Sequence, residues 1–232
     1  MMSTDNPGEL YESGHPTWGC LPRVSEPGQF CPMAADHIPL VPDGDWDVLS
    51  QQITLRPYGR HTLNQDGVGS CAMESTGGAV MVAEAFQGLP LTILNPWSVY
   101  WYTSGGRDSG SSIDENLVYV REHGIASEAA WPRSKGWRAK PDEAAMEDAK
   151  KHRILEFYDV ENVPEMVSAL LRGFPVVFGS NGHAVLAVQH MGDYPLILNS
   201  WGTSWGDGGF GKWCSYRDIA WNYGAFAVRV SS

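Results

Sequence analysis

The sequence predicts an α+β protein in which a helical lobe packs against a sheet or barrel lobe. Three observations predict it: helix-like runs dominate the first half of the chain, short β-branched runs dominate the second, and no βαβ alternation or internal repeat links them. Ten tryptophans, 26 glycines and 15 prolines in 232 residues point to many loops and argue against a helical bundle. A cleft between two such lobes is the expected place for a site.

The elements follow in chain order. Residues 1–45 are rich in Pro, Gly and acidic side chains without sustained periodicity, and read as an extension wrapped over, or leading into, a body spanning 46–232. Within that body, 46–150 is the mainly helical lobe and 151–232 the mainly β lobe. "CAMESTGGAVMVAEAF" from Cys71 reads as a helix carrying Met73, Val80 and Phe86. Its Gly77-Gly78 pair costs about 1 kcal/mol per glycine, so the helix is expected to be buried with a close neighbour. "SSIDENLVYVREHGI" is a second helix, with Ile113, Leu117 and Val120 on one face and Gly124 as its stop. "VPEMVSALLRGF", residues 163–174, is a third. Then "PVVFGS", "HAVLAVQHM", "YPLILNSW" and "FAVRVS" read as strands separated by Gly, Asn and Asp.

Composition excludes several roles. A net charge of −11 argues against nucleic acid or an anionic membrane as partner, since both need a basic face. No run approaches the ~18 apolar residues of a membrane span, and the N-terminus lacks the basic start and apolar stretch of a secretory signal. Four cysteines, Cys20, Cys31, Cys71 and Cys214, are too few for a disulfide framework. A reducing setting is expected, either cytoplasmic or within an assembled particle, with a Cys20–Cys31 pair left open. There is no CxxC, the histidines lack ligand spacing, and "DGDWD" lacks the Gly and Glu of a calcium loop. No metal or cofactor is expected.

The chemistry centres on "NQDGVGSCAMES", where Gln65 stands six residues before Cys71 across a glycine-rich gap. A Gly-rich turn into a buried helix that happens to begin with Cys explains this stretch equally well, so the chemical reading needs partners from elsewhere. A thiol attacks carbonyls as thiolate, and a helix N-terminus or an adjacent imidazolium lowers its pKa. His15 and His37 lie in the extension, His61 precedes the turn, and His123 and His152 fall in polar segments. His183, in "SNGHAVLAV", stands at the mouth of an apolar strand, unlike His190 within it. Sixteen residues later Asn199 ends the next strand, in "NSWGTSWGDGGFG", and can hold an imidazole ring with its amide oxygen. Trp201 can cover that bond.

These three blocks, in this order and spacing, resemble the papain family of cysteine proteases across residues 53–230. "TLRPYGRHTLNQDG" and "GIASEAAWPR" resemble its compact prokaryotic or viral-type members more than the disulfide-rich lysosomal ones. The resemblance implies a two-lobed papain-like fold with Cys71 as nucleophile, His183 as acid and base, and Asn199 orienting His183. It also implies Trp201 as shield, and Gln65 with the Cys71 backbone N–H as oxyanion donors. Val68 stands where secreted members carry a disulfide cysteine, Ala72 replaces the Trp after the nucleophile, and Gly182 replaces the Asp or Asn before the histidine. The family's substrate-binding glycine pair maps to Gly110-Ser111 by counting back from Gly124, with Gly105-Gly106 as the literal alternative.

Only 70 residues precede Cys71, short for the family's long helical inhibitory segment. The expectation is therefore an enzyme made active, or one whose extension covers the cleft by itself. The resemblance implies a cysteine peptidase acting on peptide or protein substrates. The alternative is a papain-like fold serving as a structural or binding component of a larger assembly, docked through residues 1–45.

Overall fold

The computed structural model describes residues 19–230; residues 1–18 of the expected extension, with His15, lie outside them. In chain order the elements are β1 (Cys20–Leu21), α1 (Ala34–His37), α2 (Trp46–Ser50), α3 (Cys71–Phe86), α4 (Trp97–Thr103), β2 (Ser111–Ser112), α5 (Ile113–His123), α6 (Glu143–Ala149), β3 (Ile154–Asp159), α7 (Val163–Leu171), β4 (Val176–Ser180), β5 (His183–Met191), β6 (Tyr194–Leu198), β7 (Phe210–Lys212) and β8 (Ala225–Val230). Strands β3 to β8 form one sheet in the order β3-β8-β4-β5-β6-β7, every neighbour antiparallel. Strands β1 and β2 pair in parallel apart from it. Helices α3 to α6 make the other lobe, so the α+β segregation read from the sequence is the architecture.

Helix α3 is the central element. Residues 71–85 are all buried, so it presents no polar face and no amphipathic stripe. The glycine pair lets neighbours close in. A Cβ on Gly77 would stand 2.8 Å from Pro96 Cγ, and one on Gly78 3.3 Å from Leu186 Cδ2. Helix α5 starts with a reciprocal cap: the Glu115 N–H donates to Ser112 Oγ at 3.4 Å, and that hydroxyl donates to Glu115 Oε2 at 2.9 Å. Helix α7 is capped by Asn162, which accepts from the Glu165 N–H at 3.0 Å. It ends at Leu171, three residues before the expected Phe174.

The β4–β5 hairpin sets up the site. Its turn residues Asn181 and Gly182 have φ of 51° and 79°, the left-handed pair that an Asn-Gly turn supplies at least cost. Ser180 therefore pairs with His183, which becomes the first residue of β5. Strand β6 stops at Leu198 rather than running to Trp201. Asn199 leaves the ladder and donates its N–H to Gly209 O at 2.9 Å, and its side chain turns to His183.

Helices α4 and α6 and strand β3 were not legible in the sequence. "WSVYWYT" is apolar on every side, α6 is seven residues long, and β3 carries Glu156 among its apolar residues. Residues 19–45 share the core of the body. Cys31, Ala34, Ile38 and Val41 are buried in it, and Met33 bridges to Asp159. Their 3-4-3 spacing has a helical period, but Pro32, Pro39 and Pro42 interrupt it and only Ala34–His37 is helical, so the run did not read as an element. Cys20 and Cys31 are both free thiols. Among the described residues no helix is long and apolar enough to cross a membrane, and no three His, Cys, Asp or Glu side chains gather as metal ligands.

Candidate active site

Cys71 is the first residue of α3, and the backbone of Ala184 and Gly19, from two other segments, lies with that of Ala72 where it lowers the thiol's pKa. One helical turn further, Ser75 Oγ donates to Ala184 O at 2.9 Å. The start of α3 is thus stitched to the start of β5, where His183 lies. The approach loop is pinned as well: the Gln65 N–H donates to Ser200 O at 2.9 Å, and the Gly69 N–H to Asp108 Oδ1 at 2.8 Å. Tyr100 Oη holds the same Asp108 oxygen at 2.8 Å.

His183 Nε2 lies 2.9 Å from Asn199 Oδ1. An amide oxygen only accepts, so this contact places the Nε2 proton on the Asn199 side of the neutral ring. Asn199 Oδ1 also accepts the Ser200 N–H at 2.8 Å, which fixes the amide. Trp201 stacks on His183 with ring centroids 4.8 Å apart, and Trp213 meets it edge-on at 5.0 Å. Gln65 joins the same group: its Oε1 accepts Ser200 Oγ at 2.9 Å and Trp201 Nε1 at 3.1 Å, while its Nε2 donates to Val68 O at 2.7 Å. Trp201 therefore bridges the imidazole and the glutamine, a second role beside covering the histidine.

Burial controls the electrostatics. Cys71 is fully buried and His183 1% exposed. Burial pushes the Cys71 thiol up to about 11, against the pull of its backbone hydrogen bonds. Burial pushes His183 down to about 4, against the Asn199 bond. The expectation that the helix N-terminus lowers the Cys71 pKa is outweighed by desolvation in this covered state, where both side chains are neutral. A stability prediction follows for His183. Above pH ~6.5 neither the folded nor the unfolded ring is protonated and there is no effect. Below it the unfolded ring takes a proton that the folded one refuses, so stability falls as pH drops, by about 3 kcal/mol once pH passes ~4. Urea midpoints measured across that window should fall more steeply for the native chain than for His183→Gln.

A buried acid lies three residues after Cys71 on α3. Glu74, 1% exposed, is ion-paired with Arg133 and accepts Ser70 Oγ at 3.1 Å. Its carboxyl is raised by burial and held back by the Arg133 charge and by hydrogen bonds from Arg133 and Ser70. Trp97 Nε1 donates to Ser70 Oγ at 3.2 Å, and the Arg133 guanidinium lies 4.3 Å from the Trp97 ring centroid.

Of the expected substrate-binding residues, Ser111 and Gly182 face each other across Cys71. The Ser111 N–H donates to Gly19 O at 2.9 Å, and Gly182 O accepts the Cys20 N–H at 3.0 Å. Gly110 lies beside Gly19, with a built Cβ 2.5 Å from Gly19 O. Gly105 and Gly106 instead follow α4, with Gly106 against Trp101. Sequence reasoning missed Gly19, Ser200 and Trp213. None carries a motif, and each reaches the site through contacts distant in the chain.

No family model matches the chain. A protein of Acanthamoeba polyphaga mimivirus described as an uncharacterized peptidase C1-like protein is 25% identical over 223 residues, covering 77% of this chain and 71% of its own. Among solved structures, xylellain, a cysteine protease from Xylella fastidiosa, superposes with a TM-score of 0.71 at 18% identity, over 92% of this chain and 96% of its own. Digestive procathepsin L 3 of Tenebrio molitor larval midgut gives 0.68 at 19%, over 97% of this chain and 80% of its own. The bromelain protease of Ananas comosus gives 0.64 at 18%, over 77% of this chain and 98% of its own.

Proposed function

We propose that this chain, which belongs to the papain-like (C1) cysteine protease family, is itself a peptidase that cleaves peptide bonds through a thioester on Cys71. The observation that carries the reading is the buried His183–Asn199 contact of 2.9 Å at the start of the strand whose next residue, Ala184, accepts Ser75 Oγ at 2.9 Å from the first turns of the helix that Cys71 begins. A nucleophile, a base and a group that orients the base are the three parts this chemistry needs.

In this reading His183 accepts the Cys71 proton as a peptide enters, and the thiolate attacks the carbonyl carbon. The oxyanion receives hydrogen bonds from the Gln65 amide and the Cys71 backbone N–H. His183 then returns its proton to the departing amine as the C–N bond breaks, leaving an acyl thioester. A water, deprotonated by His183, attacks the thioester and releases the carboxylic acid and the thiol. Asn199 keeps the ring in plane throughout, beneath Trp201. The four free cysteines support a reducing compartment as the place of action.

The test is to trap the intermediate. Mixing the chain with pooled peptide esters, quenching in acid and digesting should place an acyl group on the peptide that contains Cys71. Acylation elsewhere, or hydrolysis with no Cys71 adduct under rapid quench, would overturn the assignment.

A further inference from the structure

The two oxyanion donors belong to different pieces of backbone. Gln65 lies in the approach loop, while the Cys71 N–H belongs to the peptide unit that joins Ser70 to the head of α3. Both must stand about 2.7–3.1 Å from the one point where the oxyanion forms. The loop therefore has to be fixed against the helix.

The peptide unit joining Asn64 and Gln65 is held at both ends. Its N–H donates to Ser200 O at 2.9 Å, and its carbonyl accepts Arg133 Nη1. The other arm of the same guanidinium, Nη2, is paired with Glu74 Oε1. That carboxylate oxygen also accepts Ser70 Oγ at 3.1 Å, and Ser70 Oγ accepts Trp97 Nε1 at 3.2 Å. One fork thus joins the backbone of Gln65 to the residue that precedes Cys71. Arg133 is itself set in place: its N–H donates to Glu128 Oε1 at 2.8 Å, and its guanidinium lies over the Trp97 ring.

We propose that Arg133, clamped by Glu74, is the positioning residue of the oxyanion hole, fixing the Gln65 amide relative to the Cys71 N–H. This rests on reading the site as a peptidase. The side-chain partners Ser200 and Trp201 hold Gln65 to the sheet side, whereas Arg133 ties its backbone to α3. The planar fork suits this task, because its donors point in fixed directions toward two acceptors at once; an ammonium is a single point charge on a flexible stem. Charge-assisted contacts of this kind are the strong class of hydrogen bond, and burial strengthens them. Glu74 is 1% exposed, Gln65 2% and Ser70 not at all. Misplacing a reacting group by 1 Å costs on the order of 10²-fold in rate.

The test uses the full chain and separates positioning from folding. Arg133→Lys keeps a cation for Glu74 and loses the fork, so its urea midpoint should stay near the native one. With a fluorogenic peptide that the native chain cleaves, kcat should fall by about 10- to 100-fold while KM stays nearly the same. Alkylation of Cys71 by iodoacetamide displaces iodide and forms no oxyanion, so its rate should not change. In a Gln65→Ala background the same substitution should cost less than about twofold. Hydrogen exchange in peptides covering residues 62–70 should be faster in Arg133→Lys. An equal loss of kcat with and without Gln65, an equal slowing of alkylation, or an unchanged kcat would refute the clamp. If the native chain cleaves no peptide, exchange decides alone: faster exchange in Arg133→Lys upholds the clamp and places the failure in the peptidase reading, and unchanged exchange refutes the clamp. Should Arg133→Lys melt well below the native chain, the double variant Arg133→Met/Glu74→Gln, which removes both charges, decides by the same criteria.

Discussion

Cys71→Ala is expected to lower kcat/KM for peptide hydrolysis by about 10⁴-fold or more. The loss is this large because Gln65 and the helix backbone can still polarise a carbonyl, but no atom remains to form the acyl intermediate. The fold should tolerate the change. Removing one buried sulfur leaves a space smaller than a methylene pair and costs about 1 kcal/mol, and the network around His183, Asn199, Trp201 and Gln65 makes no use of it. Progress curves with pooled fluorogenic peptides and urea melts on the same samples check both halves. Turnover that survives the substitution would mean that another group is the nucleophile.

Arg133→Met is expected to produce the largest stability loss, about 3–5 kcal/mol, because it strips the partner from a buried charge. Glu74 is 1% exposed, and Arg133 is its only cationic partner among the described ion pairs. Arg133 also donates to Asn64 O, just before Gln65, and covers Trp97. Without it, burial raises the Glu74 carboxyl further. A group whose folded pKa lies above its unfolded value contributes stability that is fully present below the unfolded pKa and is lost as pH rises through the folded one. The deficit of Arg133→Met should therefore widen from acid to neutral pH, and adding Glu74→Gln should recover most of it. Urea unfolding at several pH values measures this. A deficit below about 1 kcal/mol that does not change with pH would show that water reaches the pair.

Local chemistry made much of this protein legible. The apolar runs from Cys71, from Ile113 to the Gly124 stop and from Val163, and the four short β-branched runs, each act over a few residues and leave their mark in a few letters. They located three helices and four strands, with Cys71 at a helix start and His183 at the mouth of a strand. The spacing from His183 to Asn199 is one hairpin strand and its return, so that pair too was within reach of the sequence.

What crosses long distances in the chain left no such mark. Only the folded molecule sets Arg133 against Glu74, puts Trp213 on the edge of His183, and orders the sheet β3-β8-β4-β5-β6-β7. The same holds for Gly19. It has no periodicity, charge or motif to distinguish it, and its place beside Cys71 comes from Asp114 and Asp159, roughly a hundred residues away, gripping Arg23 to Ser25. The neutral state of Cys71 and His183 is decided there as well. An amino-acid string carries the intrinsic pKa of a thiol or an imidazole, but desolvation belongs to the packed surroundings, and here it outweighs the helix N-terminus.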